Sequence, residues 1–389
     1  MKKLIVVLLV FALMGTALFA QTAPGVTVGG WGRSVFSPLK VTLPDGGDAT
    51  VGSEVVTNLI EGRIAGSAEK IGFETYVRYD GSGTATWGDN AYVWVKPISI
   101  LKIGGGKFNG AFDAGLRGKI GNGSSNGMLA AAGINAIAKG EDDIFKRFAS
   151  NAGGVILLQP IEGLTIGAVF NARSAKNELD LDYANLQIGA GYTIGNIGVI
   201  RAQLLRGPND GSDAGTKYGT PTKIQAAFAL TAVENLTLDI GATIPLKYES
   251  EDTYEWQDAI SINVGAKYTA GDFSILGRAD AYLMKYYEDP SNTKFEEGID
   301  IYGLVEPAFK LGTITVAADV ALEFTTEDKN DGKAVDNKGG LKLGAGVWAG
   351  IPLGNGDLKL GVMAMLPTEY DGSKTPLVVA IPLSMQYSF

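Results

Sequence analysis

The sequence predicts an all-β chain folded as a transmembrane antiparallel β-barrel of about 18 strands, with 16 as the alternative count. Three observations lead there. Apolar and polar residues alternate with a period of two along almost every segment from Val26 onward. The connections between these segments are alternately short and long. Beyond the first twenty residues, no stretch combines about 20 uninterrupted apolar residues with a helical pattern.

In chain order, the first element is MKKLIVVLLVFALMGTALFAQ, with Lys2 and Lys3, an apolar run from Leu4 to Met14 and small residues before Gln21. This pattern predicts a secretory signal peptide over residues 1–20. Cleavage after Ala20 fits the small-residue preference, although Leu18 stands where a smaller side chain is usual. A retained membrane anchor is the alternative, and the run is short for a spanning helix. Residues 21–389 are then a single barrel domain.

The strands are two-faced. In TITVAADVALEF, Ile314, Val316, Ala318, Val320, Leu322 and Phe324 oppose Thr313, Thr315, Asp319 and Glu323. In GLKLGAGVWAGI, Leu341, Leu343, Ala345, Val347, Ala349 and Ile351 oppose Lys342, Trp348 and glycines. Short connections are expected at Ala68 to Lys70, Lys96-Pro97, Pro160 to Gly163, Gly195-Asn196, Val233 to Asn235, Ala270 to Asp272, Lys310 to Gly312 and Gly354 to Gly356. Long polar ones are expected at Ser37 to Ser53, Gly81 to Asp89, Gly110 to Asn151, Arg173 to Asp182, Gly207 to Pro221, Ser250 to Gln257, Glu288 to Gly298, Thr326 to Lys338 and Pro367 to Lys374. The count is least secure at Ala91 to Val95, which reads as short, and at Phe108 to Lys119, which reads as a strand extension. A soluble sandwich also alternates, but has no reason to alternate its turn lengths. A solenoid would show a fixed period, and none is present. Closure in lipid leaves no edge and no unpaired backbone.

Composition excludes several function classes. The chain has no His, which removes the commonest general base and every His-ligated metal site. No spacing of carboxylates, Lys, Tyr or Ser singles out a catalytic group. No enzyme activity, cofactor or metal is therefore expected. The absence of Cys excludes disulfides and a lipid-modified cysteine. A net charge of −9 argues against a nucleic-acid partner, whose phosphates need a basic footprint.

The last fifteen residues, TPLVVAIPLSMQYSF, alternate to the terminus, so the last strand is expected to pair with the first and turn Leu383, Met385, Tyr387 and Phe389 to lipid. MQYSF, with Tyr387 and Phe389, resembles the C-terminal assembly signal of outer-membrane proteins. AYVWVKPISILKIGGGKFNGAFD, from Ala91 to Asp113, is similar to the porin segment that ends in a Gly-Lys-Phe turn before a loop folding into the barrel. The resemblance implies a porin-like β-barrel in the outer membrane of a diderm bacterium, exported and then inserted by the secretion and barrel-assembly machineries. Outer-membrane lipid and small hydrophilic solutes would be its partners. A homotrimer is compatible with it, since trimers are common among pores.

The face opposite the apolar one should line the lumen. Its bases are Arg33, Arg63, Arg78, Lys102, Arg201, Lys247, Lys267, Arg278, Lys310, Lys342 and Lys359. Its acids are Glu61, Glu74, Asp239, Asp280, Asp300, Glu306, Asp319 and Glu323. Such residues are costly against lipid. With Gly, Ala, Ser and Thr between them, the wall is expected to enclose a wet diffusion pore. A surface structural protein or adhesin displaying loops is the alternative, and a sugar-selective pore using Trp31, Trp94 and Trp348 is another. In the loop from Gly110 to Asn151, an apolar run from Met128 to Ala138 precedes Glu141, Asp142, Asp143, Lys146 and Arg147. By analogy with porins, this loop folds inward and sets its acids against Arg33, Arg63 and Arg78. A short helix over the rim is the competing placement. A calcium site at Glu141 to Asp143 is a third reading, although the spacing matches no EF-hand loop.

Overall fold

The computed structural model describes residues 25–80, 85–109, 126–134, 149–171, 186–205, 223–246, 248–249, 255–257, 260–288, 294–326, 329–330, 333–334 and 338–389. Residues 1–20, where a signal peptide is expected, Lys247 and Glu141 to Arg147 lie outside them. Among the described residues, eighteen long strands form one antiparallel sheet that closes on itself. The first five are β1 (Val26–Leu43), β2 (Thr50–Ser67), β3 (Ile71–Tyr79), β4 (Ala85–Ile98) and β5 (Leu101–Asn109). After a helical turn, α1 (Asn126–Ala131), come β6 (Ala149–Leu158), β7 (Leu164–Asn171), β8 (Leu186–Ile194), β9 (Gly198–Leu205), β10 (Lys223–Leu230) and β11 (Leu236–Pro245). Next are β12 (Ile260–Ala270), β13 (Phe273–Glu288), β14 (Lys294–Leu311) and β15 (Ile314–Thr325). The last three are β16 (Gly340–Leu353), β17 (Gly356–Leu366) and β18, in two pieces, Leu377–Ala380 and Leu383–Ser388.

Each strand pairs with its neighbours in sequence, and β18 returns to β1. Trp31 to Phe36 pair with Ser388 to Leu383, and Lys40 to Leu43 pair with Ala380 to Leu377. Closure removes both edges, so every strand backbone finds a partner within the sheet. The outer face is apolar. Val316, Val320, Val347, Ile351, Leu360 and Val362 are all exposed there, as a bilayer requires. At the terminus Tyr387 and Phe389 point outward, and the Phe389 ring lies on Gly30, where an added Cβ would meet its Cζ at 2.6 Å.

The short turns are encoded by residues that accept a left-handed backbone. Asn235, Gly271, Gly312 and Gly354 have φ of 64°, 58°, 65° and 60°. Several boundaries differ from the expectation. Ser37 to Ser53 is mostly strand, with a connection only from Pro44 to Ala49. Of Glu288 to Gly298, the described residues, Glu288 and Lys294 to Gly298, are strand. In the first of these segments, Leu39, Val41 and Leu43 alternate with Lys40 and Thr42, but Pro38 interrupts the pattern. Ala91 to Val95 is part of the 14-residue β4; Phe108 and Asn109 belong to β5, and the rest of the stretch to Lys119 lies outside the described residues. The first β4–β5 turn residues are Ser99 and Ile100, because Pro97 sits in a register shift between Val95 and Ile98, where its missing N–H is tolerated. The terminal strand is broken at Ile381-Pro382, and the Ile381 N–H donates to Ser37 Oγ at 3.1 Å. Short hairpins extend three long connections, as at Glu369–Tyr370 with Ser373–Lys374.

Candidate functional site: the inward wall

Strand register determines what shares the inner face. On β2 and β3, Glu61 stands opposite Arg78, and Arg63 opposite Tyr76. The Trp31 indole N–H donates to Glu61 Oε2 at 2.8 Å, while Arg78 Nε is 3.4 Å from Glu61 Oε1. Arg63 lies 2.6 Å from Glu74 Oε2, and the Asn90 amide donates to the other oxygen at 2.8 Å. Arg33 faces inward opposite Gln386 and is exposed. On β4 and β5, the Lys102 ammonium lies over the Trp94 ring at 4.6 Å.

A second polar tract crosses β9 to β13. Arg201 and Asp239, both with fully buried side chains, are 3.4 Å apart. Gln203 donates to Gln225 at 2.6 Å, and Gln225 to Thr243 at 3.1 Å. Asn263 donates to Asp280 at 2.7 Å, and Arg278 Nε is 3.1 Å from the same carboxylate. Buried charges in such pairs are held by geometry as much as by attraction, because each costs several kcal/mol to desolvate. Glu306, Asp319 and Glu323 continue the inner face on β14 and β15, and Asp300 pairs across with Thr325. Lys342 bridges to Glu323 at 2.9 Å and lies over the Tyr370 ring at 3.9 Å.

The remaining sector departs from the expected lining of small and charged residues. Besides Arg33, Lys342 and Lys359, inward positions on β16 to β18 and β1 include Trp348, Met363, Met365, Val378, Ala380 and Val35, all buried. Against them packs α1 with its following turn, through Met128, Leu129, Ala131, Ala132 and Ile134, each at most 1% exposed. Glycines make room for it. A Cβ at Gly344 would meet Ile134 Cγ1 at 2.6 Å, and one at Gly361 would meet Met128 Cε at 2.7 Å. A smaller inward apolar patch joins Tyr92, Phe108, Val155, Leu157 and Val169.

The sequence reading did not single out Asn90, Gln203, Gln225, Asn263, Met363 or Met365. Strand parity could have found the first four. The run VMAML, apolar at both parities, signals the apolar sector, because a wall facing water on one side has no need of it.

Comparisons with known proteins follow the architecture. No protein-family model matches the chain, and no curated protein matches it. Among solved structures, an anion-selective porin from Comamonas acidovorans is similar at 12% identity and a TM-score of 0.48, covering 94% of this chain and 99% of that one. In-vitro folded OmpT, an outer membrane protein of Vibrio cholerae, gives 11% and 0.46, covering 94% and 97%. A variant of Rh. blastica porin gives 14% and 0.45, covering 94% and 100%. The likeness is one of fold.

Proposed function

We propose that the chain is a porin-like outer-membrane channel for passive diffusion of small hydrophilic solutes or ions, and no enzyme. The observation that carries this reading is the sorting of side chains on a closed sheet. Aliphatic residues cover the outside, while Arg33, Arg63, Glu74, Lys102 and Lys267 stand on the inside. Eighteen strands also enclose a cylinder wider than side chains alone fill. Export through the signal peptide, insertion by the barrel-assembly machinery through Tyr387 and Phe389, and a homotrimeric assembly accompany this reading. Reconstitution of the folded protein into planar bilayers tests it. Stepwise conductance is expected, together with swelling of loaded liposomes by small neutral and charged solutes. A folded barrel that conducts nothing would leave the display of surface loops as its role.

In the same reading, α1 ties the long loop to the inner wall, and Glu141, Asp142, Asp143, Lys146 and Arg147, which follow it in sequence, line the narrowed passage. Charges in a confined aqueous path act on ions more than charges on an open rim, where salt screens them within about 10 Å at 0.1 M. Changing the three acids to Gln and Asn is expected to move the reversal potential in a salt gradient toward anions. A reversal potential equal to the parent's would place these acids away from the ion path.

A further inference from the structure

The inner wall opens, at the end of the barrel carrying the short turns, into a cavity of about 710 Å³. Three lysines line it, Lys267 on β12, Lys310 on β14 and Lys359 on β17, against two acids, Glu306 and Asp357. One positive charge is therefore in excess. Lys359 lies 3.7 Å from Asp357. Lys267 and Lys310 are exposed on the inner face and have no acidic partner among the described residues.

The cavity also presents unmet hydrogen-bonding capacity. Trp348 is 5% exposed, with the Lys359 ammonium 5.3 Å from its ring centre, and its indole N–H has no acceptor among the described residues. Asp357 Oδ1 has no donor among the described residues. Leaving such buried atoms unsatisfied costs about 1–3 kcal/mol each. Water or a solute hydroxyl can meet either kind, because each accepts and donates, and a polyhydroxylated solute brings several such groups at once. Thr315 adds a hydroxyl to the lining.

We propose that this vestibule is a binding station for small hydroxylated monocarboxylates, the sugar acids, at the short-turn mouth of the channel. The carboxylate is held between the Lys267 and Lys310 ammonium groups, and the hydroxyls meet Thr315, Asp357 and, after a small side-chain shift, the Trp348 N–H. A single excess charge matches a monoanion better than a phosphate dianion. The proposal rests on the channel reading, since solute must enter the barrel to reach the site.

D-gluconate is the probe, with acetate and D-glucose as comparators, added on either side of single channels conducting KCl. Saturable current reduction by gluconate is expected, with acetate and glucose each at least about tenfold weaker because each lacks one half of the recognition. K267Q/K310Q should weaken gluconate about tenfold or more, and raising ionic strength should weaken it in the parent. T315V should weaken gluconate but leave acetate where it was. Heat-modifiable migration checks that each variant is folded. Equal action of gluconate and acetate, or an unchanged gluconate response in folded K267Q/K310Q, overturns the proposal and leaves the channel standing. Absence of any KCl conductance in the parent overturns the channel reading itself.

Discussion

The two halves of the inner wall follow the same strand parity and yet do opposite things. On β9 to β13, inward positions hold Arg201, Gln203, Asp239, Arg278 and Asp280, each partnered by another wall residue. On β16 to β18, beside Lys342 and Lys359, a run of inward positions holds glycine, methionine, valine and Trp348, and their partner is α1. Register places a side chain inside the barrel, but the identity of the residue decides whether that sector pairs along the wall or receives a piece of the protein's own chain. Gly344 and Gly361 make the difference physical, because a single methyl at either would occupy space that Ile134 or Met128 now fills.

The largest effect expected is on the polar half. Arg201→Met removes the guanidinium from beside a fully buried carboxylate and should cost about 3–5 kcal/mol, whereas Arg201→Met with Asp239→Leu should recover most of that loss. Denaturant unfolding of the folded barrel in detergent measures both. If the single and double variants lose equally, the pair is not what stabilises this sector.

A smaller loss, with a different readout, is expected on the apolar half. Gly344→Val forces a contact with Ile134 and should cost about 1–3 kcal/mol through overpacking. Because α1 must move away from the wall, single-channel conductance should change as well. Stability reduced with conductance unchanged would mean that the α1 sector plays no part in limiting the pore.

The wall assignment itself is sharpened by cysteine labelling of adjacent residues, with almost no expected change in stability. Thr315→Cys should react with a water-soluble thiol reagent through the lumen, and Val316→Cys, exposed on the apolar outside, should be shielded by lipid. Equal reaction at both would invert the distinction between the faces.

The parity on which these comparisons depend was legible in the sequence because the side-chain period of a strand is two, so a face persists once a few residues fix it. Thr315 against Val316 and Lys342 against Leu343 needed nothing more. Strand ends were less legible. Residues from Ser37 to Leu43 and from Thr50 to Ser53 extend as a ribbon in which Leu39, Val41 and Leu43 keep the alternation, but Pro38 and the polar, glycine-rich residues after Leu43 read as loop. Pro97 signalled a turn two residues early because a proline breaks a hydrogen-bond ladder at a bulge as readily as at a turn. The apolar sector was hidden for a different reason. Met363 and Met365 declare that something apolar covers them, but only the fold brings residues 128–134 to strands more than two hundred positions away.

The smallest effect expected lies outside the wall, where the connection after β1 meets the hairpin before β18. Lys374 Nζ is 2.9 Å from Asp45 Oδ2, and both side chains are largely exposed. The hydrogen bond from Lys374, followed by the charge of Asp45, holds the lysine above its ordinary pKa. A raised pKa in the folded state means a contribution fully present below the unfolded-state lysine pKa and lost as pH rises through the folded value. Lys374→Gln should therefore lower the melting temperature slightly at neutral pH and low salt, and make no difference well above the lysine range. Salt should erase the neutral-pH difference too, since exposed pairs are screened. A difference that persists at high salt and high pH would show that Lys374 stabilises the loops by packing, and that this contact belongs with the apolar half of the comparison.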